Sequence, residues 1–258
     1  MGRMLLQAVA TDGGEMVLAA AIVRQGSTLC GVDTGALIGG ETSGIAVSDD
    51  LAAQLPQLDV LIDFTPPDAA LENARLCAAS GRALISGTTG FTPEQAQQFE
   101  ETTQGMALCQ SANFSTGVNL AYNLLAQAAA VLGDGADIEI AETHHRHKAD
   151  APSGTALAMG EILANARGQK LSDIAEFGRT GQSSLRVPGT IGFSVTRGGD
   201  VVGDHTVVFA SEGERLEITH KASSRMAFAR GAVRAAKWIV DKGPGRYDMQ
   251  DVLGLKES

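Results

Sequence analysis

Short apolar runs alternate with segments of helical character along the first half of the chain. Four runs predict buried strands: Met16–Val23, Asp59–Phe64, Arg82–Ser86 and Met106–Gln110. Between them, Pro66-Pro67 opens a predicted helix that runs to about Ser80, and Thr92-Pro93-Glu94 opens the next. Short apolar strands that alternate with helices predict a parallel sheet covered on both faces.

The pattern changes in the second half of the chain. Predicted helices span about 118–132 and 153–166, on either side of a strand at Asp137–Thr143. Three longer strand candidates follow: Val187–Thr196, Val201–Ala210 and Glu214–His220. Gly198-Gly199-Asp200 and Glu212-Gly213-Glu214 are predicted hairpin turns between them. This half is an α+β pattern with an antiparallel component, and a last helix at about 226–240 is predicted to pack back on the first half.

The composition excludes several classes of protein. A net charge of −10 argues against a nucleic-acid or anionic-membrane surface, because both need clustered positive charge. No segment reaches the roughly 18 apolar residues that span a bilayer, and the N-terminus has no leader pattern. We therefore expect a cytoplasmic protein.

The cysteines do not indicate a disulfide framework. Cys30, Cys77 and Cys109 are odd in number, widely spaced and without a C-x-x-C pair. We expect Cys77 and Cys109 to be buried as small hydrophobic residues in a helix and a strand, respectively.

Candidate chemistry is concentrated in the segment Glu142–Thr155, ETHHRHKADAPSGT, which carries three of the five histidines together with an Arg and a Lys. A cationic pocket in an acidic chain indicates an anionic small molecule as ligand. The segment ends by opening a helix, and backbone N–H groups at a helix start bind carboxylates or phosphates. A solvated basic loop is the alternative interpretation.

A metal site is a second alternative for this segment. His144, His145 and His147 lack the i, i+4 pairing of helical metal ligands, and no carboxylate is placed as a further ligand. We therefore predict no metal.

The segment resembles the signature of the 4-hydroxy-tetrahydrodipicolinate reductase family, and further blocks resemble that family in the same order along essentially the whole chain. These blocks are Ile62–Pro66, Gly87–Phe91, Ala112–Gly117, Arg186–Gly192 and Glu214–Ala222. The resemblance implies that a hydride from NADPH or NADH reduces a cyclic dicarboxylate with loss of water.

The resemblance also assigns roles within the signature segment. It implies that His144 is the acid/base group and that Lys148 is a second catalytic or proton-donating cation. Asp150 either orients Lys148 or serves as a loop carboxylate. The residues implied to bind the substrate are His145, Ser153, Gly154 and Thr155.

The implied cofactor residues follow strands of the predicted parallel sheet, where open α/β sheets bind ligands. They are Arg24, Gly87, Thr88, Thr89, Ser111, Ala112, Asn113 and Phe114. Val23 stands where dual-specificity members carry an acidic residue, and Arg24 can pair with a 2′-phosphate. We therefore expect NADPH to be preferred and NADH to be usable. Taken alone, Gly87–Gly90 is also an ordinary turn, and Arg24 is also an ordinary solvated residue.

The implied architecture is a Rossmann-type dinucleotide-binding domain, residues 1–114 and 225–258, and an α+β substrate-binding and oligomerisation domain, residues 115–224. The family begins with a strand and a Gly-x-x-Gly-Arg-Met-Gly turn, of which only Met1-Gly2 is present. We expect the family's first strand and glycine loop to be missing from this chain, and a homotetramer as the assembly.

Two other functions stay open at this point. A catalytically silent relative would keep the dicarboxylate pocket without binding a dinucleotide. A Rossmann-type reductase of another substrate is the third hypothesis, and the signature segment argues against it.

Overall fold

The structure is a computed structural model that describes residues 1–181 and 185–256. The α-helices in this part of the chain are α1 Gly2–Ala10, α2 Thr34–Leu37, α3 Leu51–Gln54, α4 Pro67–Ser80, α5 Pro93–Thr102, α6 Thr116–Leu132, α7 Gly154–Ala166, α8 Leu171–Ile174, α9 Met226–Ile239 and α10 Met249–Leu253. The strands are β1 Ala21–Ile22, β2 Val47–Ser48, β3 Val60–Asp63, β4 Ala83–Ser86, β5 Ala107–Gln110, β6 Asp137–His144, β7 Ala175–Phe177, β8 Ile191–Arg197, β9 Gly203–Ser211, β10 Glu214–Ala222 and β11 Gly245–Tyr247.

The chain divides into two compact units. The first contains Met1–Thr116 and Met226–Ser258, and the second contains Gly117–Arg225. The division of dinucleotide and substrate binding between two domains stays a prediction. No helix in the described residues is long and apolar enough to cross a membrane.

The first unit contains the predicted parallel sheet, in the order β11-β5-β4-β3. One side packs on α4 and α5 through Ala74, Cys77 and Phe99. The other side packs on α9 and α10, where Ile85 and Cys109 meet the small side chains of α9. The predicted fold class, an α/β sheet with helices on both faces followed by a mixed sheet, is confirmed.

Cys77 and Cys109 are buried within this unit, as expected. Burial raises the pKa of each thiol to about 12, with nearby carboxylates adding to the effect. Both cysteines are therefore protonated and serve as packing residues.

The strand predicted at Met16–Val23 was wrong over most of its length. Only Ala21–Ile22 is strand, and it pairs in parallel with Val47–Ser48 in a separate ladder. A strand needs a hydrogen-bonding partner along its length, and β2 offers a partner for two residues only. Val17 is largely exposed instead of buried.

The second unit contains the mixed sheet β10-β9-β6-β8-β7. One face is covered by α6 and α7, with Leu125, Ile140 and Leu163 in its core. The β9–β10 hairpin at Glu212–Gly213 is confirmed, since Ser211 pairs with Glu214.

The hairpin predicted at Gly198-Gly199-Asp200 was wrong. β8 lies parallel to β6 on one side, and β9 lies antiparallel to β6 on the other. The connecting loop therefore crosses the end of β6, where the Gly198 N–H donates to the His144 carbonyl over 2.9 Å. This crossing brings β8, β6 and β9 together around the last residues of β6.

Candidate active site

His144 is the last residue of β6, and its side chain is buried on the covered face of the sheet. Side chains two positions apart on a strand share a face, so Glu142 lies beside it. The distance from His144 Nδ1 to Glu142 Oε2 is 2.5 Å. The acid/base candidate therefore has a carboxylate partner from its own strand.

Arg197, at the end of β8, holds the same carboxylate with two nitrogens. Nη1 lies 2.8 Å from Oε2 and Nη2 lies 2.9 Å from Oε1 of Glu142. The Ser153 N–H also donates to Oε1 over 3.0 Å. Burial alone would raise the pKa of Glu142, but the hydrogen bonds from Arg197, His144 and Ser153 hold this pKa below its ordinary value. Glu142 is therefore ionised at neutral pH.

Ser153 begins α7 and connects it to β9. Its hydroxyl accepts from the Ala156 N–H over 3.2 Å, as an N-cap does, and lies 2.9 Å from His205 Nε2. Ser153 is buried, whereas Gly154 is exposed with open space beside its Cα. The Ser153 hydroxyl is thus engaged within the protein and fixes the first helical turn, which carries Gly154 and Thr155.

Lys148 and His145 lie in the turn that follows β6. Lys148 Nζ pairs with Asp150 Oδ2 over 2.8 Å, the contact expected if Asp150 orients Lys148. His145 is half-buried, and its Nδ1 has no hydrogen-bond partner among the residues described. Partial burial is the main cause that lowers the pKa of His145, and the nearby Arg225 guanidinium lowers it further. His145 is therefore a neutral group at pH 7 with an unused polar atom.

No group of His, Cys, Asp or Glu within residues 1–181 and 185–256 is arranged to hold a metal ion. Glu142 lies beside His144, but Arg197 occupies both of its oxygens. The polar side chains around His144 are therefore held in place by hydrogen bonds to one another.

A cavity of about 540 Å³ opens at the carboxyl ends of β4 and β5. Four of the predicted cofactor residues line it, namely Thr88, Thr89, Ser111 and Ala112. Gln110 and the segment Arg246–Asp248 complete the lining. Hydroxyl, amide and guanidinium groups at the end of a parallel sheet suit the ribose and phosphate groups of a nucleotide.

Gly87 stands next to this cavity and is packed against an aromatic ring. A Cβ at Gly87 would overlap Phe64, so only glycine lets the chain pass there. Phe114 is buried against the same ring, with 5.4 Å between the centroids. A Cβ at Gly231 of α9 would overlap the Phe114 carbonyl oxygen, so the helix supports the backbone after β5 directly.

The other predicted cofactor residues do not line the cavity. Asn113 accepts a hydrogen bond from the Ser111 hydroxyl through its carbonyl oxygen and so shapes the turn after β5. Arg24 is exposed in the turn after β1.

Sequence reasoning missed part of both sites. It did not single out Glu142 as a partner of His144, although the two-residue spacing on a strand was a usable signal. Arg197, His205 and Arg246 gave no local signal, because each reaches its site through strand pairing with residues that are distant in sequence.

Comparisons with known proteins agree along the whole chain. The family model described as "Dihydrodipicolinate reductase, N-terminus" matches residues 1–114, and the one described as "Dihydrodipicolinate reductase, C-terminus" matches residues 117–253. The chain is 56% identical over 256 residues to a curated 4-hydroxy-tetrahydrodipicolinate reductase of Saccharophagus degradans, covering 99% of this chain and 95% of that one. It is also 56% identical over 255 residues to the Pseudomonas fluorescens protein of the same name, with 99% and 95% covered.

A solved structure shows the same fold. It is the structure of a dipicolinate-bound dihydrodipicolinate reductase from Paenisporosarcina sp. TG-14, with a TM-score of 0.71 and 22% identity over 97% of this chain and 94% of that one. At this identity the likeness concerns the fold alone. The two family models and the two curated relatives show that the chain belongs to the dihydrodipicolinate reductase family.

Proposed function

We propose that this chain is an oxidoreductase that uses NAD(P)H to reduce 4-hydroxy-tetrahydrodipicolinate to tetrahydrodipicolinate, a step of the diaminopimelate and lysine pathway. The observation that carries the proposal is the near-complete match to curated reductases of that name. The arrangement around His144 supports it, because a buried imidazole with an ionised partner suits proton transfer to a small molecule.

The proposed roles in the second unit follow the layout of the signature segment. His144 exchanges a proton with the substrate as hydride arrives, and Lys148 is the second proton-donating cation and screens a substrate carboxylate. The N-terminal turn of α7 binds a carboxylate through Gly154 and Thr155, with Ser153 as the residue that fixes this turn. His145 adds its Nδ1, which has no hydrogen-bond partner in the described part of the chain, to the substrate site.

The proposed cofactor site lies in the first unit. A nicotinamide cofactor is implied by the family, and the polar lining of the cavity fits such a nucleotide. Gly87, Thr88, Thr89 and the backbone of Ser111–Phe114 would hold it, and the cofactor when bound supplies the hydride. NADPH is the preferred form in this proposal and NADH is usable, because Arg24 is a cation with no acidic neighbour at Val23.

A catalytically silent relative is the competing function, and the comparisons do not support it. Curated relatives that are 56% identical along nearly the whole chain carry the reductase name. The cavity beside Thr88 and Ser111 also offers room for a ligand.

The test is direct assay of the purified protein with the cyclic dicarboxylate and either reduced cofactor. We expect oxidation of the cofactor, followed by its absorbance, only when the dicarboxylate is present. Dicarboxylate binding by calorimetry without any cofactor oxidation or cofactor binding would instead establish the silent relative. Activity on other cyclic imines but not on this dicarboxylate would move the chain to a different reductase.

The assembly and location are proposed as a homotetramer in the cytoplasm. The sheet of the second unit keeps Ala141 and Ser194 exposed on the face opposite α6 and α7. A broad exposed sheet face is a natural surface for a second copy of the chain.

A further inference from the structure

The buried carboxylate of Glu142 accepts four hydrogen bonds in the structure. Its Oε1 accepts from the Ser153 N–H and from Arg197 Nη2, and its Oε2 accepts from Arg197 Nη1 and from His144 Nδ1. The side chain is 1% exposed. Donors at both oxygens fix the plane of the carboxylate, so the position of the imidazole is fixed with it.

A glycine faces the opposite side of the imidazole. A Cβ at Gly203, the first residue of β9, would lie 2.8 Å from His144 Nε2. The ring therefore lies close against the backbone of β9, with its Nδ1 on the carboxylate. His205 adds an edge-on ring contact, with 5.0 Å between the centroids.

An ionised carboxylate can only accept hydrogen bonds. A carboxylate at Nδ1 therefore requires the proton on that nitrogen, whether the imidazole is neutral or charged. The nitrogen left to exchange a proton is Nε2.

We propose that Glu142, clamped by Arg197, is a positioning residue that holds His144 with Nδ1 protonated and so makes Nε2 the working acid/base nitrogen. The reaction in which Nε2 works rests on the proposed function. The orientation of the ring and the site of its proton are properties of the unliganded chain and can be measured without any reaction.

The first experiment is nitrogen NMR on the unliganded protein labelled with ¹⁵N in histidine, at a pH where the imidazoles are neutral. We expect His144 to show a protonated Nδ1 and an unprotonated Nε2, with its signals assigned by their absence in His144→Gln. A proton on Nε2, or an equal mixture of the two neutral forms, would overturn the proposal. This result stands whether or not the protein reduces the dicarboxylate.

The second experiment compares two carboxylates of β6. Glu142→Gln can supply only half of the acceptors that its four donors need, so the clamp is lost. We expect kcat to fall about 10²-fold with the KM for the cofactor unchanged, since correctly placed acid/base groups are worth about that much. The control is Glu139→Gln, which also loses contacts to arginines, Arg179 and Arg186, but does not touch His144.

A third variant tests the proposal even if Glu142→Gln fails to fold. Gly203→Ala leaves the carboxylate intact and pushes the ring from the side of Nε2. We expect kcat to fall in this variant as well, with the cofactor KM again unchanged. Parent-like kcat in both variants, or an equal loss in Glu139→Gln, would show that the clamp has no positioning role.

Discussion

His205 is a neutral side chain within a cluster of charged groups. Its ring is buried, and burial is the main cause that lowers its pKa to about 4, with the neighbouring His144 imidazole adding to the effect. Its Nε2 meets the Ser153 hydroxyl at 2.9 Å. An uncharged imidazole can hold that hydroxyl without adding a cation next to His144.

Stability should depend on pH through this residue. In the unfolded chain His205 titrates near its ordinary pKa of 6.5, and in the folded chain near 4. The unfolded state therefore binds more protons between these values, and the free energy of unfolding falls as the pH falls through that window. The loss is roughly 3 kcal/mol, since one pKa unit corresponds to about 1.4 kcal/mol.

Urea unfolding from neutral pH down to about 4 measures this effect in the parent and in His205→Gln. The other titrating groups are common to both proteins. We expect the parent to lose more stability than the variant on acidification. Equal pH dependence in the two proteins would show that His205 does not contribute.

Substitutions of His144 and Lys148 should differ in which kinetic constants they change. We expect His144→Gln to lower kcat about 10²- to 10³-fold while cofactor binding stays unchanged, because only proton transfer is removed. Lys148→Ala should lower kcat and also raise the KM for the dicarboxylate, because a cation is lost. Steady-state kinetics and cofactor titration separate these effects, with the exposed Lys170→Ala as control. Near-normal turnover in both His144→Gln and Lys148→Ala would contradict the assignment of these two residues as catalytic.

The cofactor preference should depend on Arg24. An exposed guanidinium that pairs with a 2′-phosphate contributes on the order of tenfold in kcat/KM. We expect Arg24→Ala to lose this factor with NADPH and to be nearly unchanged with NADH. Arg75→Ala, which removes an exposed arginine of α4, is the control. A parent enzyme whose kcat/KM with NADH equals or exceeds that with NADPH would contradict the prediction.

At the scale of elements, the start of α7 should matter more than an ordinary helix cap. Ser153→Ala removes the cap of α7 and also leaves His205 Nε2 buried without its partner. Thr92→Ala removes a comparable cap from α5, where the threonine is exposed. Urea unfolding should show a loss of about 1 kcal/mol for Thr92→Ala and a larger one for Ser153→Ala. Equal losses would mean that the His205 contact adds nothing.

Elements set by local signals were predicted from the sequence. Pro67 and Thr92 mark the starts of α4 and α5, and Ser153 marks the start of α7. The relative order of β8 and β9 was not predictable, because a glycine-rich connection fits both a hairpin and a crossing over β6. For the same reason the neighbours of His144 were not predicted, since Arg197 and His205 reach His144 only through that strand order.

At the scale of the whole molecule, the exposed face of the second sheet should be the assembly surface. Ala141 lies on β6, the central strand, and is exposed between Ser194 and Thr206 of its neighbours. Ala141→Arg places a charge in the middle of this face. Light scattering should show a tetramer for the parent and a smaller species for the variant. Ala79→Arg, at an exposed position of α4, should leave the assembly a tetramer. A monomeric parent would contradict the proposed homotetramer.

The support that α9 gives to the backbone at Phe114 has a consequence for biosynthesis. Gly231 contacts that backbone from a helix that leaves the ribosome only after all of Gly117–Arg225 has been made. Until then, the apolar side of β4 and β5 that packs on α9 lacks that helix. The second unit is continuous in sequence and can fold during translation, whereas the first must wait for the end of the chain. The edge of the sheet that is proposed to bind the nucleotide is therefore among the last parts of a newly made molecule to reach its final form.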